Sequence, residues 1–320
     1  MFTNSTILIT GGTGSWGIEL TDQLLPFNPK KIIILSRNED KQVTLRRSLD
    51  DSRIHFFLGD IRDREALNHA CQQVDYVFHL AALKHVTVCE ENPLEAFKTN
   101  VLGTYNVIEA SIANKVKKVI YVSTDKAADP ANTYGMTKAL GEKLIIHANN
   151  TSSTTRFMCL RGGNVLGSSG SVVPLFIKQL QEDNQILITD KAMTRYFVTP
   201  QYAIKTLLQA AELGNGGEIF VMKMGACKIL DLAEVLIEFY QKKDVSLIEI
   251  GARRGEKIHE ALIAENERPL ASIFNNNLIL ISNTGSNNDQ AIPDVLLDTN
   301  NIIMTKEEIK QMLIEGNFLS

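Results

Sequence analysis

The feature that narrows the fold most lies at the start of the chain. The apolar run Ser5–Thr10 passes directly into Gly11-Gly12-Thr13-Gly14-Ser15-Trp16-Gly17, and a helical pattern follows to Leu25. Strand, glycine turn and helix in immediate succession leave few topologies. Gly11 suits the tight turn, Gly14 lets the backbone approach a pyrophosphate, and Gly17 suits a close helix–strand contact. The helix start adds free N–H groups and the positive end of its dipole. Gly11, Thr13, Gly14, Ser15, Trp16 and Gly17 are thus the first candidate residues for a dinucleotide. A plain glycine loop has the same composition; the position after the first strand favours the ligand.

The alternation continues. A second strand, Lys31–Leu35, ends at Ser36-Arg37, and the helix Glu39–Leu49 follows. An acidic residue at such a strand end suits the ribose 2′-hydroxyl of NAD, whereas Arg37 fits a 2′-phosphate, so NADP is expected over NAD. A third strand, Ile54–Leu58, leads to Gly59-Asp60-Ile61, where Asp60 and Ile61 are placed to meet the adenine. A fourth, Tyr76–Leu80, runs into Ala81-Ala82-Leu83-Lys84-His85. Leu80, Ala81 and Ala82 allow close approach to a cofactor, and Lys84 is a candidate for both cofactor and substrate. His85 reads as a structural histidine. Strands Val119–Val122 and Phe157–Leu160 complete the series. Alternating strands and helices with short connections predict an α/β, Rossmann-type, doubly wound parallel sheet. Ligands bind beyond the carboxyl ends of such strands, where all these candidates fall.

Between these strands, Asn92-Pro93-Leu94-Glu95 has the pattern of a capping box opening a helix that runs towards Asn114, with Gly103 placed for close packing. This helix and the next, Tyr134–Ala148, carry more apolar residues than one core face needs. A homo-oligomer, dimer or higher, built on the helix pair is therefore expected.

The fifth strand surfaces at Ser123-Thr124-Asp125-Lys126, and Tyr134 and Lys138 lie four apart at the start of the following helix, on one face. A phenol titrates near ~10, and a nearby ammonium or oxidised nicotinamide favours phenolate. Tyr134 and Lys138 are thus a candidate acid–base pair. A partly buried Tyr and a surface Lys are common at that spacing; the strand end and the N-terminal glycines single this pair out.

After about residue 165 the alternation lapses. Residues 1–165 read as a dinucleotide-binding domain and 166–320 as a smaller C-terminal substrate-binding region, with about 200–225 returning to the sheet. Val165 and Asn164 stand at the junction, as candidates for cofactor and substrate. Lys84, Arg195 and Arg253 are candidates to clamp a diphosphate, with Glu256 beside them. Residues Asn275–Gln290, rich in Asn and Ser, read as a loop, and Lys306–Glu315 as an amphipathic helix. The formal net charge of −4 gives no general attraction to nucleic acid or anionic membrane. No apolar run approaches the ~20 residues of a membrane helix. Cys71, Cys89, Cys159 and Cys227 are widely spaced and read as reduced thiols of a cytoplasmic protein. No metal site is expected.

Taken together, these motifs resemble the extended short-chain dehydrogenase/reductase superfamily, and within it the C5-inverting nucleotide-sugar 4,6-dehydratases acting on UDP-N-acetylglucosamine in the pseudaminic acid pathway. The likeness runs from about residue 5 to 263. It is carried by I-L-I-T-G-G-T-G-S-W-G, G-D-I-R-D, A-A-L-K-H-V, N-P-L-E-A-F-K-T-N, S-T-D-K-A-A-D-P, Y-G-M-T-K, G-N-V-L-G-S, M-T-R-Y-F-V-T and R-G-E-K-I-H-E. Asp125-Lys126 is its specific part, where better-known sugar-nucleotide dehydratases carry Asp-Glu. Gly162, where the family often has Tyr, and Ser169, where it often has Arg, depart from the pattern near the expected sugar. The resemblance implies that Tyr134 accepts the 4-hydroxyl proton as hydride leaves C4, aided by Thr124, while Lys138 holds the ribose and lowers the Tyr134 pKa. It further implies that a neutral Lys126 removes the C5 proton and Asp125 protonates the departing 6-hydroxyl. A C5-retaining dehydratase, a C4 epimerase or 4-ketoreductase, and a non-catalytic NADP sensor are the alternatives.

Overall fold

The computed structural model describes residues 1–168, 170–253, 255–282, 292, 298–299 and 302–319. Its strands are β1 Thr6–Thr10, β2 Lys31–Ser36, β3 Ile54–Leu58, β4 Tyr76–His79, β5 Lys118–Thr124, β6 Arg156–Gly162, β7 Asn164–Val165, β8 Gln185–Ile188, β9 Thr194–Val198, β10 Ile219–Met222, β11 Gly225–Lys228, β12 Ser246–Glu249, β13 Ala271–Ile273 and β14 Leu278–Ile281. The helices are α1 Ser15–Leu24, α2 Glu39–Ser48, α3 Arg64–Ala70, α4 Val86–Glu91, α5 Pro93–Phe97, α6 Gly103–Ala113, α7 Thr133–Thr151, α8 Val172–Glu182, α9 Pro200–Leu213, α10 Ile229–Phe239 and α11 Lys306–Glu315.

A nine-stranded sheet has the order β13-β14-β10-β6-β5-β4-β1-β2-β3. Strands β1 to β6 and β10 are parallel, and β14 and β13 add antiparallel at one edge. Leu8 pairs with Ile33 on one side and Val77 on the other. Strands covered by helices on both faces read as unbroken apolar runs, which is why β1 is buried along its whole length. The strand order reverses between β1 and β4, opening a crevice at their carboxyl ends. The α/β doubly wound expectation is met.

A second core lies beyond β6. Leu166, Phe176, Leu180, Ile186, Leu232, Leu236, Ile309 and Leu313 pack among α8, α10 and α11. Two small sheets, β11-β9-β7 and β12-β8, complete this region. No helix among the described residues is long and apolar enough to cross a membrane.

Two local expectations fail. The stretch from Asn275 does not run as a loop: Leu278-Ile279-Leu280-Ile281 is β14, paired with β10 and β13. Four apolar residues outweigh their Asn-rich flanks once a buried edge is available. Residues 283–290, the rest of that stretch, lie outside the described residues, as does Ser169. The capping box at Asn92 is also absent. Asn92 has φ −130° and ψ 59°, its side chain makes no cap, and its Nδ2 donates to the Val88 carbonyl at 3.0 Å. Glu95 pairs instead with Arg62 and Lys98.

Gly103 does serve close packing. A Cβ there would lie 2.7 Å from Cδ1 of Ile61. The turn before it, Lys98–Leu102, is π-helical, an irregularity that recurs near functional sites. Here it presents Asn100. The Asn100 side chain accepts from the Leu83 N–H at 2.8 Å and donates to the Leu83 carbonyl and to Thr137 Oγ1, both at 3.0 Å. It thereby fixes the loop after β4 against α7.

Candidate active site

A cavity of about 780 Å³ opens at the carboxyl ends of the central strands. Its lining includes Gly11, Thr13, Gly14, Ser15, Trp16, Ser36, Arg37, Ile61, Leu80, Ala81, Ala82 and Lys84 on the sheet side. Thr124, Lys126, Tyr134 and Lys138 form its middle, and Asn164, Val165, Arg195, Arg253 and Glu256 its far wall. The sheet-side residues, far apart in the chain, meet because β1, β2, β4 and β5 end side by side here.

The sheet end fits a dinucleotide. Gly11 has φ +71°, and a Cβ there would lie 2.8 Å from the Ala81 N, so β1 and β4 close this tightly only around glycine. Helix α1 starts at Gly14 with no side-chain cap and no acidic residue in its first turn. Its N–H groups are left for an anion. Gly17 does not line the cavity; a Cβ there would lie 2.3 Å from the Gly12 carbonyl oxygen, so it seats α1 on the turn. Asp60 is also behind the wall. It holds Arg62 in a two-pronged bond at 2.9 and 2.6 Å and lies 3.6 Å from Arg37. Arg37 remains half-exposed at the cavity edge, near Lys41.

Tyr134 is presented by the first turn of α7. The Asn132 side chain caps this helix, accepting from the Gly135 N–H at 2.8 Å, and donates from Nδ2 to the Gly255 carbonyl at 2.9 Å. Gly135 is required by proximity, because a Cβ there would lie 2.2 Å from the Lys126 carbonyl oxygen. The helix start thus touches the turn at Asp125–Ala127. Burial pushes the Tyr134 phenol up to about 12, with a hydrogen bond between it and Thr124 and the Lys126 charge pulling the other way.

Lys138 departs from the expected pairing. Its Nζ donates to the Val122 carbonyl at 2.7 Å and lies 3.8 Å from the centre of the Tyr121 ring. Burial pushes this ammonium down to about 7. The cation that acts on the Tyr134 phenol is Lys126, not Lys138. Deeper still, His79 bridges Thr10 Oγ1 at 2.7 Å and Thr104 Oγ1 at 3.0 Å. Burial holds its imidazole down to about 3, so it is neutral at pH 7.

Asp125 is buried, and its Oδ1 accepts from Thr124 Oγ1 at 2.8 Å, from the Lys126 N–H at 2.9 Å and from Lys126 Nζ at 3.0 Å. Its Oδ2 is buried with no hydrogen-bond partner among the described residues. Such an atom is costly unless it is protonated or met by a ligand. Lys126 is not neutral, as the expected role as a base required. Burial alone would push it down, but Asp125 and Glu260 outweigh burial and hold it above the ordinary lysine value. Glu260, 3.4 Å from Lys126 Nζ, was not singled out from the sequence. Only its place in R-G-E-K-I-H-E marked it, and its partner is far away in the chain.

One buried cluster ties β6 to α7 and to the segment that leads into β13. Arg161 binds Glu142 of α7 at 3.1 and 2.7 Å, Glu267 at 2.8 and 3.0 Å, and the Leu262 carbonyl at 2.8 Å. All four cysteines are free and buried.

The chain is similar to several known proteins. Residues 7–281 match the polysaccharide biosynthesis protein family. The chain is 41% identical, over 99% of its length and 98% of the other's, to the uncharacterized membrane protein MJ1061 of Methanocaldococcus jannaschii. It is 45% identical, over 86% of its length and 82% of the other's, to the UDP-N-acetylglucosamine 4,6-dehydratase (inverting) of Campylobacter jejuni. It is 44% identical, over 83% and 80%, to a protein of Rickettsia rickettsii named UDP-glucose 4-epimerase. Among solved structures, Pen from Bacillus thuringiensis superposes over the whole of both chains with a TM-score of 0.94 at 37% identity. The glycine turn, the Tyr134–Lys138 helix and these likenesses agree: the chain belongs to the polysaccharide biosynthesis protein family, within the extended short-chain dehydrogenase/reductases.

Proposed function

We propose that the chain is a nucleotide-sugar 4,6-dehydratase that converts UDP-N-acetylglucosamine to a UDP-4-keto-6-deoxy sugar with inversion at C5, using NADP. The observation that carries this is the cluster of Thr124, Asp125, Lys126 and Tyr134 at one strand end, with Lys126 and Tyr134 on the cavity wall. Bound nicotinamide supplies a hydride acceptor at C4 and returns the hydride at C6, so none is consumed. Tyr134, as the phenolate that the Lys126 charge and an oxidised nicotinamide would favour, takes the 4-hydroxyl proton, with Thr124 hydrogen-bonded to the same oxygen. Lys138 holds the ribose. Lys126 passes its proton to Asp125, 3.0 Å away, and as the free amine removes the C5 proton that the 4-keto group acidifies. The partnerless Asp125 Oδ2 is the atom to protonate the departing 6-hydroxyl. Arg195 and Arg253, with Lys84, are placed to hold the diphosphate, and Asn164 and Glu256 to meet the sugar or base.

NADP is favoured over NAD because Arg37 and Lys41 stand together at the cavity edge while Asp60 is held by Arg62. A cytoplasmic enzyme opening pseudaminic acid synthesis is the matching cellular role. A homo-oligomer is supported by exposed apolar side chains on adjacent elements: Leu94 and Phe97 on α5, Leu102 in the π-helical turn and Tyr105 on α6, with Met136 and Leu140 on α7.

A second reading, C4 epimerisation, is favoured by the name of the Rickettsia relative. Tyr134 and Lys138 suffice for it, and Asp125 and Lys126 then have no task. The two part in one experiment: incubation with UDP-N-acetylglucosamine in D₂O, followed by NMR. A 4-keto-6-deoxy product with deuterium at C5 is expected. A C4 epimer with hydrogen retained at C5 would replace the first reading by the second.

A further inference from the structure

Glu260 is 4% exposed and belongs to a segment that no other candidate residue in the Lys126 cluster shares. Its position is set by backbone bonds, not by the charge it faces. Its N–H donates to Thr299 Oγ1 at 2.9 Å, and its carbonyl accepts from the Thr299 N–H at 3.0 Å. Two residues earlier, the Ile258 carbonyl accepts from the Thr194 N–H at 3.0 Å and from Arg195 Nη1 at 3.1 Å. A buried carboxylate is costly unless cations offset it. The cations that flank this one, Lys126 at 3.4 Å and Arg195 at 3.9 Å, both line the cavity. Asp125 and the Tyr196 hydroxyl also face the cluster, with Asp298 beyond Tyr196. His259 is turned aside to Thr194 Oγ1 at 2.8 Å.

A lysine side chain has four rotatable bonds and a compact head that one neighbour does not fix. Lys126 has two anchors on different parts of the fold: Asp125 on the sheet side and Glu260 on the substrate side. We propose that Glu260 is a positioning residue for the elimination half of the reaction, holding the Lys126 amine in place for the sugar C5 from the substrate-binding region. This rests on the dehydratase reading. The first half, oxidation at C4, is assigned to Tyr134 and Thr124 and needs from Lys126 only its charge, which Asp125 still holds, so the two halves should separate on substitution.

The test mixes UDP-N-acetylglucosamine with the NADP-loaded full chain carrying Glu260→Gln or Glu260→Asp. Reduced nicotinamide absorbance follows the first half and product NMR the second. For Glu260→Gln, hydride transfer should stay within about threefold of wild type, product formation should fall about a hundredfold, and reduced nicotinamide should accumulate. KM should change little. Because one of two anions that retain the Lys126 proton is gone, the rising limb of the pH–rate profile should move to lower pH. Glu260→Asp keeps the charge and should lose about tenfold with that limb near wild type. Product formation within about threefold of wild type in Glu260→Gln overturns the proposal. So does equal loss of both steps, which marks a merely structural residue. If Glu260→Gln does not fold, Glu260→Asp decides on the same two criteria. A wild-type protein that makes no 4-keto-6-deoxy sugar removes the dehydratase reading itself, and this inference with it.

Discussion

The Lys138 ammonium lies over the Tyr121 ring, 3.8 Å from its centre, and is tied to the strand that carries it through the Val122 carbonyl. Burial brings it down to about 7, against an ordinary lysine near ~10.4. Below pH 7 the ammonium is charged in folded and unfolded chains alike, and its burial opposes folding in full. Between about 7 and 10 the unfolded chain keeps the proton and the folded chain releases it, so this residue's contribution to stability rises with pH. Urea unfolding at pH 6 and pH 9 should show a larger gain with pH for wild type than for Lys138→Met. Identical gains would rule out this depressed value.

Lys126→Ala should leave cofactor affinity within about threefold and abolish product, with a loss of at least about a hundredfold. Its oxidised cofactor should still be reduced on adding the nucleotide sugar, because Tyr134 and Thr124 remain, but more slowly, because the charge that draws the Tyr134 phenol down is gone. Full turnover by this variant would take Lys126 out of the chemistry.

Gly135→Ala tests how closely α7 must approach the turn at Lys126. A Cβ at 2.2 Å from the Lys126 carbonyl oxygen cannot be housed without moving one backbone. A loss of about 2 kcal/mol in stability is expected, with kcat reduced about tenfold or more as Tyr134 shifts from Lys126. Wild-type kcat in the folded variant would show that the site tolerates the shift.

Arg37→Glu should weaken NADP binding about tenfold or more and leave NAD within about threefold. Fluorescence titration with both nucleotides decides it; equal effects on the two would assign Arg37 to the protein surface alone.

The apolar helix face makes a separate forecast. Met136, 55% exposed, and Leu140, 44% exposed, lie one turn apart on α7. Sedimentation at micromolar concentration should find an oligomer that Leu140→Glu reduces to monomer. A monomeric wild type would leave that face without the partner assigned to it.

The central sheet was legible because its strands are covered on both faces and so spell themselves as apolar runs, each ending in the glycine or polar residues that line the cavity. Tyr134 and Lys138 were legible as a helical pair, since their spacing is local. Their division of labour was not: that depends on Tyr121 lying under Lys138 and on Lys126 arriving from another element. Glu260 was hidden for the same reason. Nothing local distinguishes it from any acidic residue, and its meaning lies in a lysine on the opposite side of the site. β14 was masked by composition, its four apolar residues being outnumbered by Asn and Ser.

Arg161 carries a consequence for the molecule as a whole. Its guanidinium is fully buried between Glu142 of α7 and Glu267, in the turn that leads into β13 at the antiparallel edge of the nine-stranded sheet. Were the β13–β14 edge to peel away first, the sheet would retain a dehydrated charge stripped of one counterion. The antiparallel edge should therefore lose structure together with the parallel sheet it extends, and a scanning calorimeter should record no separate endotherm for it.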